Sequence, residues 1–186
     1  MNCLNDSGVI LHEENIGLIN DYEEQLGRCN IPWTHCDIFQ RGGYNGWVEH
    51  SKSGIPFVRS ISMVEAVCHL CGDVKAVGGA WSEAETSFEA VAKLETSDKR
   101  TVTITVNRYK DFEGREKSIT FQLQDGSDFI LKPSKTPGAK PGVFMEDFYM
   151  FMEEVNCGQI DEEMKSRTIR ALEIAEDVHR FTEPKS

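Results

Sequence analysis

Residues 54–74, GIPFVRSISMVEAVCHLCGDV, restrict the possible folds more than any other stretch of the chain. Pro56 pushes the residue before it towards an extended conformation. Beyond it, Ile61, Val64, Val67, Cys68 and Cys71 recur at the period of one helix face. Ser60 or Ser62 is placed to cap the start, with Glu65 following Ser62 at capping-box spacing. Gly72 supplies the stop, because glycine enters the left-handed conformation without a Cβ clash. VKAVGGAW follows at once and reads as a strand. A buried helix delivered straight into a strand demands a layered fold, with the helix covering one face of a sheet.

From Val74 the helical period gives way to alternation. Phe88, Ala90, Ala92 and Leu94 mark one strand face, Val102, Ile104 and Val106 another. Ile119, Phe121 and Leu123 mark a third, Phe129 and Leu131 a fourth. TSDKR, DFEGRE and QDGSD are the turns between them, which predicts an antiparallel meander with one covered and one wet face. Upstream, Ile10 to Leu26 reads as a helix with Ile16, Leu18, Ile19, Tyr22 and Leu26 inward and Gly27 as terminator. Ile31 to Gln40 looks extended, and RGGYNGWVEHSKSG is a glycine-rich polar loop. After the crossover PSKTPGAKPG the ending is helical. Phe144, Phe148, Phe151, Met152 and Val155 form one stripe, and Met164, Ala171, Leu172, Ala175 and Val178 another, with Gly158 between. The expected class is α+β: an open, mainly antiparallel β-sheet with helices packed on one face.

A chain of 186 residues suffices for one domain with a proper core. The formal charge of −11 argues against a general nucleic-acid binder, which needs a basic face to neutralise phosphates. No apolar run approaches the ~20 residues of a membrane helix. MNCLNDSGVILHEE lacks the basic-then-apolar order of a signal peptide, so the expected location is the cytoplasm, with no membrane partner. The six cysteines are scattered too thinly for a disulfide scaffold and read as reduced thiols.

No GxGxxG follows a strand and no P-loop is present, and Gly42-Gly43 and Gly78-Gly79 lack phosphate-cradle spacing. Cofactor binding by this chain is therefore not expected. Cys68-His69-Leu70-Cys71 is a single CxxC on an apolar helix face, better explained as small core residues than as a metal centre. Glu13 and Glu14 could serve acid–base work, but on sequence alone they are better explained as first-turn acids that suit a helix dipole. Lys52, Arg59, Arg108 and Arg115 sit in or beside loops and strand ends, either as a local anion site or as solvated ion-pairing residues. The histidines show no triad pattern.

Gly54-Ile55-Pro56-Phe57, then Ile61-Ser62 and Gly72, resembles the G-F-P-A-F-x-G-I-S segment of the biliverdin reductase family, within the Gfo/Idh/MocA oxidoreductase superfamily. Leu11-His12-Glu13-Glu14 is similar to the LHEEH stretch that opens a helix there. LCGDVKAVGGAW is similar to the helix-end-to-strand passage, GREKSITFQLQDGS to a basic strand before a glycine-serine turn, and RALEIAEDVHRF to the last helix. The matches are colinear over nearly the whole chain.

The resemblance implies a two-domain enzyme: a Rossmann domain for NADPH or NADH, then an α+β domain that faces the substrate. This chain is similar to the second only, with residues 1–30 as the connecting helix and 31–186 as the sheet domain. The expectation is thus a substrate-facing domain that is silent alone, its ligand a biliverdin-like tetrapyrrole, with homodimer pairing through the sheet face. The substrate-binding residues so implied are Glu13, Glu14, Lys52, Arg59 and Arg115. Lys52 stands where the family has an arginine, keeping charge but losing the bidentate fork. Gly17 replaces a family acid. Ser62 stands where the wider superfamily has a histidine, which disfavours sugar chemistry, and the zinc-associated cysteine-rich tail has no counterpart. Two other readings compete: a non-catalytic bilin-binding or interaction module, and a sugar or polyol dehydrogenase domain.

Overall fold

Strand alternation and helix period translate into a six-stranded sheet covered on one side by helices. The computed structural model describes residues 16–43, 61–132, 149, 152–153, 155–158 and 162–182. Helix α1 spans Ile16–Gly27, strand β1 Trp33–Gly43 and helix α2 Ile61–Cys71. Strands β2 (Val74–Glu83), β3 (Ser87–Thr96), β4 (Thr101–Tyr109), β5 (Arg115–Leu123) and β6 (Asp128–Leu131) follow, then helix α3 (Glu162–Thr182). Residues 152–153 and 155–157 are also helical, and Gly158 closes that stretch at φ +62°.

The sheet order is β2-β3-β4-β1-β5-β6. This corrects the meander: β1 lies between β4 and β5, parallel to β4 and antiparallel to β5. Parallel neighbours need a long crossover, which α2, β2 and β3 supply here. The turn at 110–114 must then step over β1, a span of about 10 Å at the usual strand spacing. Every other pairing is antiparallel, so the sheet is mainly antiparallel as expected.

The covered face is the predicted one. Phe88, Ala90, Ala92, Leu94, Val102, Ile104, Val106, Ile119, Phe121, Leu123 and Leu131 are all buried, joined by Cys36 and Ile38 from β1. Each large side chain removed from water in this way stabilises the fold by about 1.5–3 kcal/mol. Val64, Val67 and Cys71 bring α2 onto that face, while Tyr22 and Leu26 of α1 pack at its margin. α3 lies against β2 and α2.

Local details differ from the sequence reading. α2 begins at Ile61, so Ser62 lies inside it and cannot cap it. Glu65 is buried and accepts a hydrogen bond from Thr168 Oγ1 at 3.0 Å, which gives it an interhelix role in place of a capping-box role. On α3 the inward stripe is Ala171, Ile174, Ala175 and Val178, and Leu172 is 45% exposed. Val155 is exposed as well, whereas Phe144, Phe148 and Phe151 lie outside the described residues. Gly72 ends α2 at φ +76°, the left-handed conformation anticipated for it.

Candidate functional site

The polar groups of interest gather where β1 and β4 end and β5 begins. β1 continues through Gly42-Gly43, because its neighbours pair with the backbone there: Gly42 with Arg108 of β4 and Arg115 of β5, Gly43 with Tyr109 of β4. The glycine pair read as a loop signal is therefore strand. One row across the sheet thus runs Arg108–Gly42–Arg115, with a residue lacking a side chain in the middle.

Arg108 lies across that gap. A Cβ added at Gly42 would stand 3.7 Å from Arg108 Cδ and Nη1. Arg108 donates from Nη2 to Gln40 Oε1 at 2.8 Å and from Nη1 to the Asn107 carbonyl at 3.0 Å. Gln40 is only 5% exposed, so its amide oxygen is withdrawn from water and depends on this donor. The result is a cation positioned by a buried partner, an arrangement suited to holding a carboxylate.

Of the residues expected from sequence, Glu13, Glu14, Lys52 and Arg59 lie outside the described residues. Arg115 opens β5 opposite Gly42, and its backbone alone is described. Lys52 and Arg59 fall in the chain between Gly43, the last residue of β1, and Ile61, the first of α2. Gln40 and Arg41 were missed. Gln40 ends an extended stretch with no distinguishing neighbour, and Arg41 opens a segment whose glycines signal a turn.

A second polar cluster ties the helices. Glu23 of α1 approaches His69 Nδ1 of α2 at 3.5 Å, and Arg167 of α3 donates from Nη1 to His69 Nε2 at 2.9 Å. Burial, then the Arg167 charge, holds the imidazole below its usual pKa, against the opposing pull of Glu23. The neighbouring thiols are also quiet. Cys36 is pushed well up by its contact with Cys71 and by burial, and Cys68 is raised to about 11 mainly by burial. Thiols held protonated in this way are poor nucleophiles. Among the described residues no group of three histidines, cysteines or acids is placed to hold a metal ion.

At the level of sequence, no family model and no curated protein matches this chain. Solved structures do. Biliverdin reductase from Synechocystis sp. PCC 6803, in complex with biliverdin and NADP+, superposes with TM-score 0.65 at 17% identity, over 89% of this chain and 60% of that one. Scyllo-inositol dehydrogenase from Lactobacillus casei gives TM-score 0.62 at 11% identity, covering 89% and 58%. D-galactose-1-dehydrogenase from Rhizobium etli gives 0.64 at 12%, covering 92% and 58%. The chain shares its fold with part of each of these three solved structures. At these identities the likeness is one of fold, and it is about equal for the biliverdin reductase, the inositol dehydrogenase and the galactose dehydrogenase. The chain spans about 60% of the length of the solved structures it matches. Among the described residues no helix is long and apolar enough to cross a membrane.

Proposed function

We propose that this chain is the substrate-facing domain of a cytoplasmic NAD(P)H-dependent reductase, and that its substrate is a biliverdin-like tetrapyrrole held by its carboxylates. The observation that carries this reading is the Arg108–Gly42–Arg115 row, with Arg108 preset by the buried Gln40. Two propionates call for two cations at a fixed separation, and guanidinium binds carboxylate through two parallel hydrogen bonds. Lys52 and Arg59, on the segment leaving Gly43, are the further cations of the proposed site, with Glu13 and Glu14 as its acids.

A nicotinamide cofactor supplies hydride in such a reaction. Gly78-Gly79 is strand, paired with Lys93 and Ala92, and forms no phosphate-binding turn. The domain's share is to bind and orient the substrate, and no hydride step is assigned to its residues.

A second reading rests on the other sheet face, where Val91, Thr105, Phe39 and Ser118 form one cross-strand row. Such a surface suits pairing with a second copy, and sedimentation of the purified chain reports it. For the first reading, the test is absorbance titration with biliverdin, with scyllo-inositol and NADPH as parallel arms. Saturable bilin binding, weakened about tenfold in Arg108→Gln or Lys52→Ala, is expected, matching the loss of one charge-assisted contact near 1.4 kcal/mol. Binding of scyllo-inositol in place of biliverdin supports the polyol branch. Unchanged bilin titration in both variants, with intact circular dichroism, removes the carboxylate site.

A further inference from the structure

Arg41 stands apart from every other arginine whose side chain is described. Arg28 is paired with Glu24, Arg100 with Asp98, Arg108 with Gln40, Arg167 with His69, Arg170 with Glu173 and Arg180 with Asp177. Arg41 makes no hydrogen bond or ion pair among the described residues, and its Nε is buried without an acceptor. What it has is two rings: its Cζ lies 4.4 Å from the Phe112 centroid and 5.1 Å from that of Tyr109. Aromatic faces attract the charge but do not replace the oxygen acceptors that the N–H donors seek.

The position is also distinct from the Arg108 row. Side chains alternate along β1, so Gln40 and Gly42 belong to the covered face and Arg41 to the open one. We propose that Arg41 anchors a second binding site, on the open face of the sheet, for a small monocarboxylate.

Three features support that ligand class. The rings hold the guanidinium in place, so little rotamer freedom is left to lose on binding. A planar carboxylate matches the free edge of a guanidinium through two parallel hydrogen bonds. The surroundings are acidic: Glu116 pairs with Arg41 in the β-ladder, and Glu89 accepts the Tyr109 hydroxyl at 2.5 Å. Those charges repel a dianion more strongly than a monoanion, which favours a carboxylate over phosphate.

The experiment follows the arginine Nε–Hε resonances of 15N-labelled protein during titration with sodium acetate, against sodium chloride at constant ionic strength. One resonance is expected to shift saturably with acetate, and to be lost in Arg41→Gln. Phe112→Leu keeps the charge but loosens the clamp, and is expected to weaken acetate binding severalfold. Glu116→Gln removes the competing acid and is expected to tighten it. Arg41→Gln is expected to leave biliverdin titration unchanged, which keeps this site separable from the Arg108 row. No saturable shift, an unchanged shift in Arg41→Gln, or tighter binding of inorganic phosphate than of acetate overturns the assignment.

Discussion

Replacing Arg108 by leucine probes whether Gln40 and Arg108 form one unit. The two partners are unequally exposed: Gln40 is 5% exposed, whereas Arg108 is half-buried and can reach water. Removing the donor strands a buried amide oxygen, which costs about 1–3 kcal/mol. Removing the acceptor by Gln40→Leu leaves a guanidinium that retains the Asn107 carbonyl and can rehydrate, so its cost is expected below about 1 kcal/mol. Replacing both by leucine removes the polar requirement, and the double variant is expected to lie nearer the wild type than Arg108→Leu alone. The coupling is then non-additive by about 1–2 kcal/mol, within the range for contacting pairs. Urea unfolding of the three variants measures it, with unchanged m-values showing that the transition itself is the same. Two outcomes refute the reasoning: a Gln40→Leu loss that equals or exceeds that of Arg108→Leu, or losses that simply add. Either result means that the buried amide does not depend on the arginine.

Stability is expected to fall as the pH drops below about 6.5, the ordinary histidine value, because His69 is held below that value in the fold. Above that pH both states carry a neutral ring and the group contributes no slope; below it the unfolded chain takes the proton first. Equilibrium unfolding at several pH values measures this slope, and His69→Gln is expected to flatten it; an equally steep slope in that variant assigns the effect elsewhere. On α3, Ile174→Ala is expected to cost about 2–5 kcal/mol and Leu172→Ala within about 0.5 kcal/mol, since the first side chain is fully buried and the second largely exposed. Equal losses in thermal or urea unfolding contradict the placement of that helix face.

The amino-acid sequence by itself determined which residues face the core. Two-residue alternation in β3, β4 and β5 named the buried set, because successive side chains on a strand must point to opposite faces. The stop at Gly72 was equally legible, since a left-handed residue at a helix end is a local requirement. On α3 the period was right and one member wrong: Leu172 and Ile174 are equally apolar, and only contact with β2 and α2 decides which turns inward.

Strand order was decided by the tertiary structure alone. Pairing of β1 between β4 and β5 depends on hydrogen bonds between residues far apart in the chain, such as Ile38 with Ile104 and with Ile119, which no local pattern encodes. That insertion groups the residues of both proposed sites. It keeps Gly42-Gly43 in the sheet despite a turn-like composition, and it sets Arg108 and Arg115 on either side of a missing side chain. It also places Arg41 against the ring of Tyr109, which ends β4, and that of Phe112 in the turn that steps over its own strand. The residues of both proposed sites were present in the sequence, but their grouping is a property of register, and register is set by long-range pairing.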